Sequence, residues 1–451
     1  MQVSAHWAIT EGAASGVTSG APVEQPLRRA GLGMLLAATA RRYPERLALI
    51  DPADKRAWSG RPSITWTYGA AAEIVERLAR ALRMWRLPPC SRIGLCLPGG
   101  GESVLALLAV EAAGHVPCLL PVAWDEERLL AAAQSAALSA VLTQARLGAA
   151  APAERMCSVA ARYFGLRYLA AFGPGVPDGV INLDRIVLER RAPDAAPALA
   201  PSAGPLDAAL PAGGCITFEG GDPDRPMFRA GDALVAAAAA HLVTVRVAPA
   251  ERILSLVGGH DLRGLVTGLG AALVSGATLE TLPVFDGAAF VAALSRATPT
   301  HLVAPGFLER NLAGRDVPPT LRSICFVHRA PAGFSGRTGS CTLHHDRVAD
   351  ALAFDETAVL TGLRGGSADV SAILARPERL GLPPGLLAMR READGGVAFR
   401  GQAAAASPLH RGIPATPAAD AWRATPYAAE PVAGAAFPPS VEVAALAHAI
   451  A

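Results

Sequence analysis

Lysine is almost missing from this sequence: Lys55 is the only one among 41 basic residues, and arginine supplies the rest. Chemistry that needs a compact, positioned ammonium has one candidate, and a guanidinium is a poor stand-in for it. Long apolar runs are missing too. The longest, "ALVAAAAAHLVTVRVA", is broken by His241 and Arg246 and falls short of the ~18 residues of a membrane-spanning helix. It reads as a core helix running into a strand. The opening "MQVSAHWAITEGAASGV" lacks the basic start and apolar run of a signal peptide. The seven cysteines stand singly in apolar surroundings, none in a C-x-x-C, which suits reduced thiols in a cytoplasmic protein. A formal charge of +2 with no basic block gives nucleic acid nothing to hold. No G-x-S-x-G element offers a hydrolase nucleophile. The adjacent His344 and His345 would point to opposite faces of a strand, so no metal site is expected there.

What is present is a large core. The chain has 451 residues, 51% of them hydrophobic, with alanine making up most of the excess. That length suggests two or three subdomains, and alanine suits closely packed helices. Residues 1–28 read as a loose arm. From about Leu35, helical stretches such as "GAAAEIVERLARALRMW" alternate with short apolar strands such as "RIGLCLP". Helices of ~10–20 residues between strands of ~5 indicate an α/β domain with a largely parallel sheet. A first α/β subdomain is expected over 29–190, followed by a Pro- and Ala-rich linker over 191–214. A second α/β subdomain is expected over 215–359, and a β-rich subdomain over 360–430, with a hairpin turning at Asp394-Gly395-Gly396. The triplet Gly99-Gly100-Gly101 lacks the second half of any nucleotide fingerprint and reads as a structural turn.

Several stretches, in order, resemble the acyl-activating, adenylate-forming superfamily of acyl-CoA synthetases, fatty acyl-AMP ligases and adenylation domains. They are "RRYPERLALID", "ITWTYGAAAEIVERLARALRMW" with its Thr-Tyr before the first long helix, and "EAAGHVPCLLPV" with its Ala-Gly-x-x-Pro. They continue with "RILSLVGGHDLRGLVTGLGAALVSGATLETLPVF" and "LRSICFVHRAPAGF". The resemblance covers about residues 35–430. It implies the large N-terminal part of that fold: two α/β subdomains with largely parallel sheets plus a small β-rich subdomain.

The resemblance also places a phosphate loop at Glu219–Met227, expected as a strand–loop–helix connection. Where the family reads Thr-Ser-Gly-Thr-Thr-Gly-x-Pro-Lys, this chain reads "EGGDPDRPM". Gly221, Arg225 and Pro226 match, while Glu219, Asp222, Asp224 and Met227 replace hydroxyl, glycine and lysine positions. Acids lining a phosphate cradle would repel a triphosphate by ~1 kcal/mol each in bulk water and ~4 at intermediate dielectric. The acidic turn is either simply solvated or recruits a divalent ion or cationic partner. The family's Tyr-Gly-x-Thr-Glu falls on Leu352–Glu356, so Asp355 replaces threonine and Glu356 matches the magnesium-holding glutamate. The aspartate that grips ribose becomes Tyr427. In the adenine-packing segment His328 and Arg329 stand before Ala330 and Pro331. His260 falls at the acyl pocket near the reacting carboxylate, and Gly270 is expected to line that pocket. Residues 431–451 resemble only the helix beyond the family's hinge.

These substitutions imply a degenerate homologue, binding an acyl chain, an acyl carrier protein or an intact ligase partner in a fatty-acyl or secondary-metabolite pathway. ATP and magnesium enter only under the alternative, an active ligase whose lysine comes from a partner chain.

Overall fold

The computed structural model describes residues 31–188, 213–312, 317–330, 348–365, 369–393, 395–410, 413–414 and 420–428. The N-terminal arm, nearly all of the linker, Pro331, the His344-His345 pair, Asp394 and residues 431–451 lie outside these.

Two large sheets and one small one carry the fold. In the first, Arg92–Cys96 lies between Val116–Leu119 and Ala140–Gln144, all parallel. Gly214–Phe218 continues the parallel set on one side and Tyr168–Phe172 on the other. In the second, Arg252–Ser255 lies between Thr278–Thr281 and Thr300–Pro305, followed by Leu321–Arg329 and Val348–Phe354, again parallel. The parallel strands are buried almost throughout, as expected where helices cover both faces of a sheet. A three-stranded antiparallel sheet of Ala388–Arg391, Gly396–Arg400 and Arg423–Ala428 completes the expected architecture, and its first pair forms the expected hairpin.

Sheet membership cuts across the blocks read along the chain. Leu47–Ile50 and Thr65–Thr67 form one edge of the second sheet, although they precede every strand of the first. Ala406–His410 returns to the first sheet, pairing with Pro226–Ala230. The family's Thr-Tyr shows why the crossing holds. Thr67 caps helix Tyr68–Met84 by accepting from the Ala70 N–H, and buried Tyr68 donates its hydroxyl to the Ala277 carbonyl at 2.8 Å. The alanine-rich helix Gly231–Val245 buries Ala233, Ala237, Ala238 and Ala240. No described helix is long and apolar enough to cross a membrane.

The lone lysine is structural. Lys55 is wholly buried, its ammonium between Asp51 (2.5 Å) and Glu102. Arg61 joins Glu102 to Asp184. Asp51 also accepts from the N–H groups of Ile64 and Gly101, so the glycine triplet belongs to this network. Gly101 must be glycine, since a Cβ there would stand 2.5 Å from the Trp66 ring. Burial pushes Lys55 down to about 8 and Asp51 up, the strain of dehydrating a linked pair. The cluster ties an edge strand of the second sheet to helix Gly101–Ala112 of the first. Lys55→Met should cost ~3–5 kcal/mol in urea unfolding by leaving buried carboxylates uncompensated, and Asp51→Asn in the same chain should restore part of it. Additive losses would show that the pair is not coupled.

Candidate functional site

The parallel strands of both sheets end at a common cleft of about 420 Å³. The first sheet contributes Leu97, Trp124 and Phe218, the second Val257, Pro283, Pro305 and Val327. The carboxyl ends of parallel strands are where open α/β sheets hold ligands, because the connecting loops splay apart there. Below the mouth, a narrower pocket of about 40 Å³ runs inward between Leu107, Leu119, Leu269 and Leu279. His260 and Gly99 line both spaces.

The phosphate-loop segment corrects two expectations. It is a β-hairpin, with Gly214–Phe218 paired antiparallel to Pro226–Ala230, and helix Gly231–Val245 begins only afterwards. The second arm is a strand because it is hydrogen-bonded on both edges, to Gly214–Phe218 and to Ala406–His410. Pro226 and Met227 are consequently buried in the sheet and do not line the cleft. The acids do not line it either. Glu219 pairs with Arg225 across the hairpin, and Asp222 accepts from the Asp224 N–H at 3.0 Å. Only Gly220 and Gly221 of the loop face the cleft. Both have positive φ, +65° and +67°, the left-handed region that glycine enters without penalty.

Of the loop's N–H donors, all but that of Gly221 are engaged. The N–H groups of Glu219, Asp222 and Arg225 bond to carbonyls within the loop. The Gly220 N–H donates to Asp355 Oδ1 at 2.7 Å. Asp355 occupies the tight turn after Val348–Phe354 at φ +52°, which aspartate tolerates better than a β-branched residue. Tyr427, at the ribose position, lies near the same carboxylate, and burial, then that carboxylate, pushes its phenol up to about 12. The positions that the resemblance gives to phosphate and threonine are thus joined through one side chain.

Glu356 lies beneath this junction and is buried. Its carboxylate accepts from Thr217 Oγ1 at 2.7 Å and from the Leu262 N–H at 3.2 Å, and Arg229 Nη2 donates to its carbonyl. Burial, then the neighbouring Asp261, pushes Glu356 from 4.5 to about 7. Burial also acts upward on Asp261, but Arg263, His260 and Arg329 outweigh it and hold that carboxyl well below the usual range. Asp261 accepts from Arg263 Nη2 at 2.5 Å and from Arg329 Nη2 at 2.9 Å. Arg329 lines the cleft, whereas His328 turns away to Asp350 (2.9 Å) and packs over Gly306. Ala330 is buried and does not line the cleft.

Gly268, not Gly270, lines the inner pocket. A Cβ on Gly270 would meet the Leu265 carbonyl at 2.7 Å and the Ala238 Cβ at 2.9 Å, so that glycine serves helix packing.

Residues 36–167 match the family model of AMP-binding enzymes. An 88-residue stretch is 33% identical to the salicyl-AMP ligase / salicyl-S-ArCP synthetase of Mycobacterium tuberculosis, spanning 20% of this chain and 15% of that protein. The fold superposes on apo MbtA from Mycobacterium smegmatis with a TM-score of 0.62 at 17% identity, covering 83% of this chain and 67% of that one. A benzoate CoA ligase from Burkholderia xenovorans gives 0.63 at 18% identity, covering 83% and 72%. The N-terminal domain of FACL13 from Mycobacterium tuberculosis gives 0.59 at 14% identity, covering 85% and 92%. By sequence, residues 36–167 are similar to AMP-binding enzymes, and the described chain has the fold of the N-terminal domain of adenylate-forming enzymes.

Sequence reasoning missed Arg128, Arg263 as a cleft residue, and the Asp355–Gly220 bond, which spans 135 positions. Two outcomes follow from the geometry. The unfolded chain releases the Glu356 proton near pH 4.5 and the folded chain near 7. Stability should therefore fall as pH rises through that window, and Glu356→Gln should flatten the fall in urea titrations across it. An unchanged slope would show that Glu356 is ionised in the fold throughout. Gly270→Val should cost ~1–3 kcal/mol by overpacking, whereas Gly268→Ala should be nearly neutral, because its Cβ would meet nothing nearer than Ser255 Oγ at 3.5 Å.

Proposed function

We propose that this chain acts as a binding member of its superfamily, holding a ligand or partner without adenylating an acid by itself. The observation that carries this reading is the Asp355 carboxylate on the Gly220 N–H. A phosphate seeking that donor would have to displace a carboxylate and then lie beside its charge. At ~4 Å and intermediate dielectric that repulsion is ~4 kcal/mol, several hundredfold in affinity.

The remaining residues also fit ATP and magnesium poorly. The ribose carboxylate is replaced by a phenol that lies beside the Asp355 carboxylate. Glu356 spends its oxygens on Thr217 and Leu262 and is pushed toward its neutral form, which suits a cation badly. No step is therefore routed through ATP.

The inner pocket restricts what is bound. An apolar cavity of ~150 Å³ takes a benzene-sized molecule, and this one offers about 40 Å³. A medium- or long-chain acyl group does not enter it as it stands. A compact acid fits better, in keeping with relatives named for salicylate and benzoate. Presentation of such a group by an acyl carrier protein or an intact ligase, in the cytoplasm, belongs to the same reading.

ATP–pyrophosphate exchange by the purified protein, assayed with fatty and aromatic acids, should stay at background. Exchange that Glu356→Ala abolishes would overturn the reading in favour of a ligase completed by a partner chain.

A further inference from the structure

The cleft contains a charge arrangement that the binding role above does not explain. Among the described residues its wall carries three guanidiniums, those of Arg128, Arg263 and Arg329, and one carboxylate, Asp261. Arg128 projects from helix Glu126–Ser135, and Arg329 ends strand Leu321–Arg329, so the two sheets contribute one each. Arg128 Nη2 donates to the Gly221 carbonyl at 2.5 Å and its guanidinium lies 4.9 Å over the Trp124 ring. Neither contact carries a formal negative charge. Arg128 Nη2 and Arg329 Nη1 each stand 4.0 Å from where a Cβ on Gly221 would be, so they lie at most twice that distance apart. Two charge-assisted hydrogen bonds of about 2.8 Å plus the width of one oxyanion span such a gap.

We propose that Arg128 and Arg329, facing each other across Gly221, form a recognition site for the oxyanion head group of a compact ligand, a carboxylate or a phosphate monoester. The ligand's body lies against Trp124, Phe218 and Phe307 in the cleft mouth, whose surface is mainly apolar. Glycine at 221 is part of the device, since any side chain would fill the space between the two guanidiniums. The site needs no loop N–H group, so Asp355 on Gly220 does not block it. Its charged end lies between the segments that the resemblance gives to phosphate and to adenine, and side chains, not loop N–H groups, hold it.

The inference goes beyond the proposed function and fails separately from it. Calorimetric titration of the whole chain with inorganic phosphate and with benzoate, at low and moderate salt, tests it. At least one should bind saturably, more weakly as salt rises. Phosphate alone assigns a phosphate head group, and benzoate alone a carboxylate. Arg128→Gln and Arg329→Gln should each weaken binding about tenfold or more, as expected for a lost charged hydrogen bond. Arg329 also holds Asp261, so melting curves accompany both variants, and Arg128→Gln alone decides if Arg329→Gln unfolds. Binding of neither probe, or affinities unchanged in the folded variants, overturns the site. Pyrophosphate exchange would overturn the proposed function and leave this site standing.

Discussion

One carboxylate in a left-handed turn sets the character of this molecule. Asp355 takes the Gly220 N–H and so binds the second sheet's terminal hairpin to the loop of the first sheet, with Tyr427 of the small antiparallel sheet close to the same carboxylate. In a phosphate-binding loop such an N–H finds its acceptor in the ligand or in water. Here the chain supplies its own anion to that donor. The acids at Glu219 and Asp222 extend the same principle, each satisfying a group of the loop itself.

Arginine makes this arrangement workable. Asp261 sits between Arg263 and Arg329 while capping its own helical turn, and a planar fork reaches one carboxylate from two sides without crowding it. Arg229 does the same for the hairpin turn, sending one nitrogen to the Glu356 carbonyl and another to that of Ala403. A compact ammonium cannot bridge such separated acceptors. The one lysine instead fills a buried site where two carboxylates converge, between Asp51 and Glu102.

How much of this could be read from the residues depends on how local each feature is. The order of strands and helices was legible because their apolar periodicity is local, and Thr67 and Tyr68 stand beside the helix they start. The interleaving of the two sheets was not, since which strands pair is settled by contacts hundreds of residues apart. The loop shows an intermediate case. Taken as strand–loop–helix, its acids point at a ligand; taken as a hairpin, Phe218 pairs with Pro226, which makes Glu219 and Arg225 neighbours. The error about the acids therefore followed from the error about the strand. The tie from Asp355 to Gly220 left no local trace, although two non-matching positions, Asp355 and Tyr427, prove to be neighbours.

That proximity bears on what the cleft can hold. The chain places a carboxylate where the resemblance has a hydroxyl, and a phenol where it has a carboxylate, close enough that the one raises the pKa of the other. The inner pocket holds about 40 Å³ and the mouth about 420 Å³. Apolar area left in water costs ~25 cal/mol per Å², so a wide, mainly apolar mouth lined by arginines carries a cost that a bound ligand would offset.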